Sequence, residues 1–406
     1  MKTILITAYA VNPYNGSEDG TGWNIAREVA KTHKVILITR KNNMPYVEKY
    51  MAESTDKVLE NMTCYGFDLS DRTMKIKKKL GERGYVLYYY FWQYFIVKFI
   101  KKMKLEFDIA HSLNFHSDSQ PNFLWRLGKP TFWGPIGHHP KVPNQYLKPI
   151  YGVKNFLKDR IYGLVKSGFR NFDPFFKIAV KKAEKIFVIN SSIQKTIKAN
   201  EKQVIILPAV ASEKVKMNVV NDQFNVLSIG RFHFMKGFDI TIRSFAKFYH
   251  DLSPKQQPKT KLTLVGKGEE KDRLIAIANS VGIADKIEWI DWVTRDEVKK
   301  IYSKSSVFLF PSHEGAGMVI PEAMSYGLPV VCFDNYGPGE LLGDSPVKVA
   351  HGSYKGSIND FAAILADLHS NGNYRHEIGL QNYNRFTEKF NWEFKGNVIK
   401  SAYQSA

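Results

Sequence analysis

The sequence is poor in cysteine and in long apolar runs. Its 406 residues include two cysteines, Cys64 and Cys332, which lie far apart along the chain. This usage argues against a disulfide framework and suits a reducing compartment. No stretch reaches the roughly eighteen apolar residues that a membrane-spanning helix needs. The apolar run at the N-terminus is too short for a signal peptide. We therefore expect a cytoplasmic protein.

Acidic residues are also scarce. Lys and Arg number 58 against 39 Asp and Glu, which gives a formal net charge of +19. Such an excess indicates a polyanionic partner: nucleic acid, an anionic membrane face or a phosphorylated substrate. The apolar content of 44% is sufficient for full cores, and the length favours two domains of ordinary size.

Apolar strand patterns alternate with helical patterns along the whole chain, which predicts an α/β protein with parallel sheets. The polar stretch 211–223 follows an apolar run and precedes the strand that begins near Asn225. We place the domain boundary in this region.

The most informative stretch runs from Ser312 to Val331. It follows the apolar run Val307–Phe310, which predicts a buried parallel strand, and it leads into a helix predicted near Pro321. Glu314 then lies at the carboxyl end of the strand and Glu322 in the first turn of the helix. Ligands of open α/β sheets bind at this edge, and loop amides at a helix N-terminus attract anions.

These two glutamates have two interpretations. Glu322 could only cap its helix while Glu314 is solvated in a loop. Alternatively, the pair could hold hydroxyl groups beside the anion site. The glycines between them favour the second interpretation, a site for a phosphorylated, polyhydroxy ligand.

This stretch resembles the Glu-x7-Glu signature of retaining glycosyltransferases of the GT-B, family 4 type. The resemblance implies two Rossmann-like domains whose parallel sheets face a central cleft. It implies an N-terminal acceptor-side domain over 1–207 and a nucleotide-sugar-binding domain over 208–385. A final helical segment, 386–406, would cross back to the first domain.

A cationic pair, Arg231 and Lys236, follows another predicted strand in the pattern Gly-Arg-x4-Lys-Gly. Arginine can bind two phosphate oxygens and lysine adds a point charge, and the pattern is similar to the family's phosphate clamp. The resemblance implies that Glu314 is catalytic at the donor sugar and that Glu322 binds the ribose hydroxyls. The other donor-binding residues implied are Gly266, Val293, Gly317, Met318 and Val319.

Three regions of the first half are similar to parts of the family's acceptor side. The loop from Gly16 to Trp23 resembles a Gly-Ser-Glu-x-Gly-x-Gly-Trp loop at which donor and acceptor meet. It implies donor contact by Gly16 and acceptor contact by Glu18. His111 directly follows an apolar strand and is expected to face the cleft as a catalytic residue that orients acceptor or sugar. His138 is expected at the acceptor.

Residues 74–104 combine aromatic side chains with flanking lysines, and 154–182 have a similar mixture. An interfacial helix on an anionic membrane would have this composition. A buried helix with a solvated lysine-rich end would have it as well, and both interpretations remain open.

The predicted function is transfer of a sugar from a UDP- or GDP-sugar to an acceptor hydroxyl, with retention of anomeric configuration. The chain contains no Asp-x-Asp pair, and no metal or other cofactor is expected. The family resemblance implies a bacterial polysaccharide or a lipid-linked glycan as acceptor. Alternatives are a GT-B nucleotide-sugar epimerase, a phosphorylase, a non-catalytic sugar-nucleotide binder and a basic nucleic-acid-binding protein. No nucleic-acid motif supports the last of these.

Overall fold

The computed structural model describes residues 1–79, 81–138, 140–209, 211–215, 217, 223–291 and 293–406. Two compact units share the chain. The first comprises 1–138, 163–210 and 392–406, and the second comprises 139–162 and 211–391. Much of the polar stretch in which we placed the boundary lies outside the described residues.

In the described residues, the first unit contains eight strands and the helices between them. The strands are β1 (Thr3–Ala8), β2 (Lys34–Thr39), β3 (Met62–Gly66), β4 (Ile109–Asn114), β5 (His116–Ser117), β6 (Thr131–Gly137), β7 (Lys185–Val188) and β8 (Val204–Ile206). The helices that begin in this part of the chain are α1 (Ser17–Ala30), α2 (Met44–Glu53), α3 (Asp71–Lys79), α4 (Gly81–Lys102), α5 (Asn144–Phe172), α6 (Pro174–Lys182) and α7 (Ser192–Ile197).

The first sheet is parallel and buried on both faces. Its order is β3-β2-β1-β4-β6-β7-β8, and the short β5 pairs with β6. Alternate side chains of β1 enter different cores: Ile4 and Ile6 pack with α1, whereas Leu5 packs with α4. Burial on both faces explains why these strands read as continuous apolar runs.

Among the described residues of the second unit are six strands and seven further helices. The strands are β9 (Phe224–Ile229), β10 (Thr260–Val265), β11 (Ile287–Ile290), β12 (Val307–Phe310), β13 (Val330–Phe333) and β14 (Lys348–Val349). The helices are α8 (Phe238–His250), α9 (Lys271–Ser280), α10 (Arg295–Ser303), α11 (Val319–Ser325), α12 (Pro338–Leu342), α13 (Tyr354–Ser370) and α14 (Gly372–Lys389). The last helix, α15 (Trp392–Tyr403), belongs to the first unit.

The second sheet has the order β11-β10-β9-β12-β13-β14, and its strand pairs are all parallel. Its core includes Tyr146 and Leu147, so the segment 139–162 groups with this unit although the sequence boundaries assign it to the first domain. The central strands β9, β10 and β12 place their carboxyl ends side by side, where an α/β sheet binds its ligands.

Helix α4 has both a core face and an exposed face. Trp92, Ile96 and Ile100 are buried in the first unit, whereas Phe91 and Phe95 are 46% and 42% exposed. Among the described helices, none is both long enough and apolar enough to cross a bilayer.

Lys77 differs from its neighbours in α3. Its side chain is buried and its ammonium lies 4.4 Å from the ring centres of Tyr85 and Tyr88. This cation–π packing holds α3 against α4, so Lys77 does not face solvent as the lysine run suggested.

Candidate functional site

A groove lies across the carboxyl ends of β9, β10 and β11. Gly266 has a φ of 151°, and a Cβ there would overlap the carbonyl oxygen of Gly230. Only glycine therefore allows the two strand exits to approach this closely. The groove has a volume of about 690 Å³ and is lined by Ile229, Gly230, Arg231, Val265, Gly266, Lys267, Gly268, Glu269, Asp291, Val293 and Val298. Three residues predicted to bind the donor, Arg231, Gly266 and Val293, thus line a single groove.

Arg231 is exposed and makes a surface ion pair in this groove. Its Nη2 lies 3.2 Å from Oε2 of Glu269, and the two side chains are 67% and 48% exposed. An ion pair this accessible contributes little to stability. The guanidinium can consequently exchange this carboxylate for a phosphate oxygen at low cost.

Lys236 and Glu314 are in direct contact, although 78 residues separate them along the chain. Lys236 ends a short 3-10 turn, and Gly237 follows with a φ of 69°. A Cβ at Gly237 would overlap the carbonyl oxygen of Pro311, just after β12. This close approach brings Lys236 Nζ to 2.5 Å from Oε2 of Glu314.

Among the described residues, only one of the two carboxylate oxygens of Glu314 has a hydrogen-bond partner. Its side chain is 12% exposed, and Oε1 is buried without a hydrogen-bond partner among the described residues. Burial raises the pKa of Glu314, and the Lys236 ammonium opposes that shift. A buried carboxylate oxygen without a donor is costly, so a ligand hydroxyl that reached Oε1 would lower this cost.

Glu322 lies on the first turn of α11 and lines a small cavity that shares Val298 with the groove. The Tyr302 hydroxyl donates a hydrogen bond to Oε2 of Glu322 at 3.2 Å. Burial raises the pKa of Glu322, while Tyr302 and the charge of Arg295 act in the opposite direction. The cavity wall also includes Tyr326. Glu322 is therefore held in place by a neighbouring helix and does not cap its own helix through its side chain.

The loop before α11 contains the three other predicted donor-binding residues. Gly317 is buried, and its carbonyl accepts a hydrogen bond from the amide of Ile320 at 3.0 Å. Met318 and Val319 are half-buried at the start of the seven-residue helix. Their contact with a phosphate stays a prediction.

The glycine-rich loop of the first unit is the start of α1. Gly16 is exposed at the N-cap with a φ of −88°, so its conformation does not require glycine. Gly22 does require it, because a Cβ there would overlap the carbonyl oxygen of Ala10. Glu18 is half-buried, and its carboxylate accepts a hydrogen bond from the Phe115 amide at 3.2 Å. Burial raises the pKa of Glu18.

His111 does not occupy the ligand-facing position that we expected. It is completely buried in the first unit. One ring nitrogen lies 2.5 Å from the Tyr403 hydroxyl and the other 2.8 Å from the Gly134 carbonyl oxygen. Burial lowers the pKa of His111 to about 4. The strand carries this side chain into the core toward α15, and we correct its assignment to a structural residue.

His138 is part of a charged cluster that the sequence analysis did not recognise. Its Nδ1 lies 2.8 Å from Oδ2 of Asp118, and that carboxylate also contacts Lys166 and Arg170. The two cations are four residues apart on α5, a spacing that places them on one helical face. That spacing was a readable signal, but nothing in the sequence connected it to Asp118.

Two Rossmann-like units with parallel sheets form the GT-B architecture of glycosyltransferases, and the predicted fold class is confirmed. The Anabaena protein Alr3699/HepE, crystallised with UDP and glucose, aligns over 100% of both chains with a TM-score of 0.63 and 13% identity. WaaG, a glycosyltransferase involved in lipopolysaccharide biosynthesis, aligns over 98% of both chains with a TM-score of 0.62 and 17% identity.

Sequence similarity is concentrated in the second unit. Residues 210–385 match the model of the family "Glycosyl transferases group 1". The lipopolysaccharide core biosynthesis glycosyltransferase LpsE of Rhizobium meliloti is 30% identical over 161 residues, which are 39% of this chain and 44% of that protein. A D-inositol 3-phosphate glycosyltransferase of Acidothermus cellulolyticus is 33% identical over 112 residues, 26% of this chain and 25% of that protein. The matches thus span less than half of these relatives.

Proposed function

We propose that the protein is a retaining glycosyltransferase of the family 4 type, which transfers a hexose from a UDP- or GDP-sugar to an acceptor hydroxyl. The observation that carries the proposal is the Lys236–Glu314 pair, with one buried carboxylate oxygen left for a ligand hydroxyl. It lies on the same sheet edge as the groove that contains Arg231. The family match over 210–385 supports the same activity, as do the similar structures of a protein bound to UDP and glucose and of a glycosyltransferase.

Each group in this mechanism has a physical task. Arg231 and Lys236 neutralise charge that develops on the departing nucleoside diphosphate. Glu314 accepts a hydrogen bond from a hydroxyl of the donor sugar through Oε1. Glu322 accepts a hydrogen bond from a ribose hydroxyl. The apolar side chains of Val293 and Val298 line the part of the groove that holds the base. These cations supply the electrostatic stabilisation that a metal provides elsewhere, so the proposed reaction is metal-independent.

We further propose that the acceptor is a bacterial polysaccharide or a lipid-linked glycan, and that the protein works in the cytoplasm on the inner, anionic face of the cell membrane. The exposed face of α4 supports this location, because it joins apolar side chains to the exposed lysines of α3. The apolar residues are Tyr85, Val86, Leu87, Phe91 and Phe95.

The role of Glu314 is tested by Glu314→Gln, which keeps the shape of the side chain but removes its charge. We expect turnover of the donor to fall roughly 100-fold, the scale for loss of one electrostatic group at a reacting centre. Nucleoside diphosphate binding, measured by calorimetry, should change little. Glu288→Gln is the matched control because Glu288 is also paired with a lysine, Lys261, at 2.8 Å on the same sheet.

Equal turnover by Glu314→Gln and Glu288→Gln would remove the assigned role. The same assay separates the epimerase alternative, because an epimerase converts the nucleotide-sugar without any acceptor and releases no nucleoside diphosphate. The donor for this assay is chosen by thermal stabilisation with a panel of UDP- and GDP-sugars.

A further inference from the structure

Two aromatic residues lie side by side where β1 and β4 of the first sheet end. The parallel register pairs Ala8 with Asn114, so Tyr9 and Phe115 are the first residues beyond the two strands. Their ring centres are 5.0 Å apart. The strand order of the sheet reverses between β1 and β4, and α/β sheets bind ligands at the carboxyl ends of strands at such a reversal. The two rings therefore lie at the expected ligand position of the first unit.

Phe115 is the member of this pair that is open to solvent. Tyr9 is 3% exposed, and the Arg40 guanidinium lies over its ring at 4.4 Å. Phe115 also packs against Tyr89, with ring centres 5.6 Å apart, yet it remains 44% exposed. The aromatic cluster thus presents Phe115 at the ligand edge of the sheet.

The backbone of Phe115 has a conformation that is unfavourable for a large side chain. Its φ is 66°, in the left-handed region where glycine and asparagine are the usual residues. Because the side chain is only partly buried, packing recovers little of this cost. Residues in such conformations are concentrated at binding and active sites. Conformation and exposure together indicate that Phe115 contacts a ligand.

Hydrogen bonds to two neighbouring segments hold Phe115 in place. Its amide donates to Oε2 of Glu18 at 3.2 Å. The side-chain amide of Asn114 donates to the carbonyl oxygens of Ala10 and Glu18 at 2.6 Å and 2.8 Å. These bonds fix Phe115 relative to the start of α1 before any ligand binds, and a preorganised surface loses less entropy on binding.

Glu18 adds a polar group beside the aromatic residue. Glu18 is half-buried, and the described residues provide its carboxylate with one donor, the Phe115 amide at Oε2. Oε1 can therefore accept a charge-assisted hydrogen bond from a hydroxyl of a ligand.

A sugar ring matches both of these features. One face of a pyranose carries C–H groups, which pack on an aromatic ring as other apolar groups do. The hydroxyl groups at its edge are donors for a carboxylate. The negative charge of Glu18 disfavours a phosphate group at the same position.

We propose that Phe115 and Glu18 form a subsite for the terminal pyranose ring of the acceptor, in which the ring packs on Phe115 and one hydroxyl donates to Glu18. This rests on the proposed transferase function, and it narrows the acceptor to a glycan that ends in a sugar with an open C–H face. Phe115 contributes to binding and takes no part in bond formation.

Saturation-transfer NMR on the full chain tests this subsite without any donor. Methyl β-D-glucopyranoside and methyl β-D-galactopyranoside are titrated into the parent protein, Phe115→Asn and Phe115→Trp. Asparagine adopts a positive φ readily, so Phe115→Asn removes the ring and keeps the loop. We expect the parent to bind at least one glycoside and Phe115→Asn to bind it about 10-fold more weakly. Phe115→Trp keeps an aromatic face and should keep the binding.

Two further variants complete the comparison. Glu18→Gln can still accept from the Phe115 amide but lacks the charge, so glycoside binding should weaken about 5-fold. If Phe115→Asn does not fold, Glu18→Gln together with Phe115→Trp still decides. Phe91→Asn is the matched control, because Phe91 is exposed to a similar extent, 46%, on α4.

The subsite is refuted if the parent binds neither glycoside, or if Phe115→Asn and Glu18→Gln bind as tightly as Phe91→Asn. Uracil serves as a third probe. If the binding of uracil depends on Phe115 and that of the glycosides does not, the residue stacks on a nucleobase and the sugar subsite is wrong.

Binding of UDP and GDP to the parent protein is measured separately and reports on the second unit. A parent protein that binds a nucleotide but neither glycoside would lack this subsite and retain the proposed donor site. Failure of the sugar subsite and failure of the transferase proposal therefore give different results.

Discussion

At the residue scale, His111 shows that a sequence motif can predict the strand that carries a residue without predicting which face of the sheet its side chain occupies. The apolar run before it predicted β4, but period-two alternation alone does not say which face carries the next residue. The direction of the His111 side chain depends on Tyr403, which lies 292 residues further along the chain in α15 and forms a hydrogen bond with the imidazole. No local pattern contains that partner.

The burial of His111 predicts a specific pH dependence of stability. Its pKa falls from 6.5 to about 4 in the folded protein. Above pH 6.5 both states leave the ring neutral, and below about 4 both bind the proton. Between these values only the unfolded state binds it, so stability is lost as pH falls, by up to about 3 kcal/mol for this difference in pKa. Denaturant titrations between pH 7 and pH 4 measure this loss of stability.

His111→Gln should lower stability at pH 7 yet flatten its decline toward pH 4. His313, whose pKa is lowered by burial to about 3, keeps part of that decline. His250→Gln, at an exposed histidine, is the control. If the stability of His111→Gln declined toward pH 4 as steeply as that of the parent protein, a group other than His111 would cause the decline.

At the scale of elements, α4 explains why the sequence left two interpretations of residues 74–104 open. Aromatic residues occur on all sides of this helix, so periodicity cannot separate a core face from a lipid face. The contacts separate them: Trp92 donates to the carbonyl oxygen of Phe67 at 2.9 Å in the core, while Phe91 and Phe95 are exposed. By contrast, β12 was predictable to the residue, because a four-residue apolar run ending at Pro311 has few other options.

The exposed face of α4 predicts binding to anionic vesicles. Replacing Lys75, Lys78 and Lys79 by Gln should abolish co-flotation with phosphatidylglycerol vesicles, because each basic residue near such a surface contributes about 1 kcal/mol. Lys77 is left intact because it is buried. The control replaces three lysines of the second unit, Lys255, Lys259 and Lys286. Flotation that is equal in both triple variants, or absent in the parent protein, would reject this surface.

At the scale of the whole molecule, the parallel α/β class was predictable from the alternation of patterns, and the two-unit division from length and a polar stretch. The grouping of 139–162 with the second unit was not predictable, because the partners of this segment lie about 200 residues away in sequence. Ser357, for example, forms a hydrogen bond with Tyr146 at 2.6 Å. In the candidate site, the family resemblance brought Arg231, Lys236 and Glu314 to attention. The Asp118 cluster corresponds to no motif in the sequence, because His138, Lys166 and Arg170 meet Asp118 only in the folded chain.

The proposed function requires cations at the carboxyl edge of the second sheet to bind a nucleoside diphosphate. Calorimetric titration of UDP and GDP into the parent protein and into the Arg231→Ala, Lys236→Ala double variant measures this binding. Lys255→Ala with Lys259→Ala, two exposed lysines before β10, is the control. We expect the parent and the control to bind one of the two nucleotides equally well. The first double variant should bind it about 100-fold more weakly, as expected for the loss of two charge-assisted contacts. Equal affinity in all three proteins would mean that Arg231 and Lys236 do not bind the diphosphate.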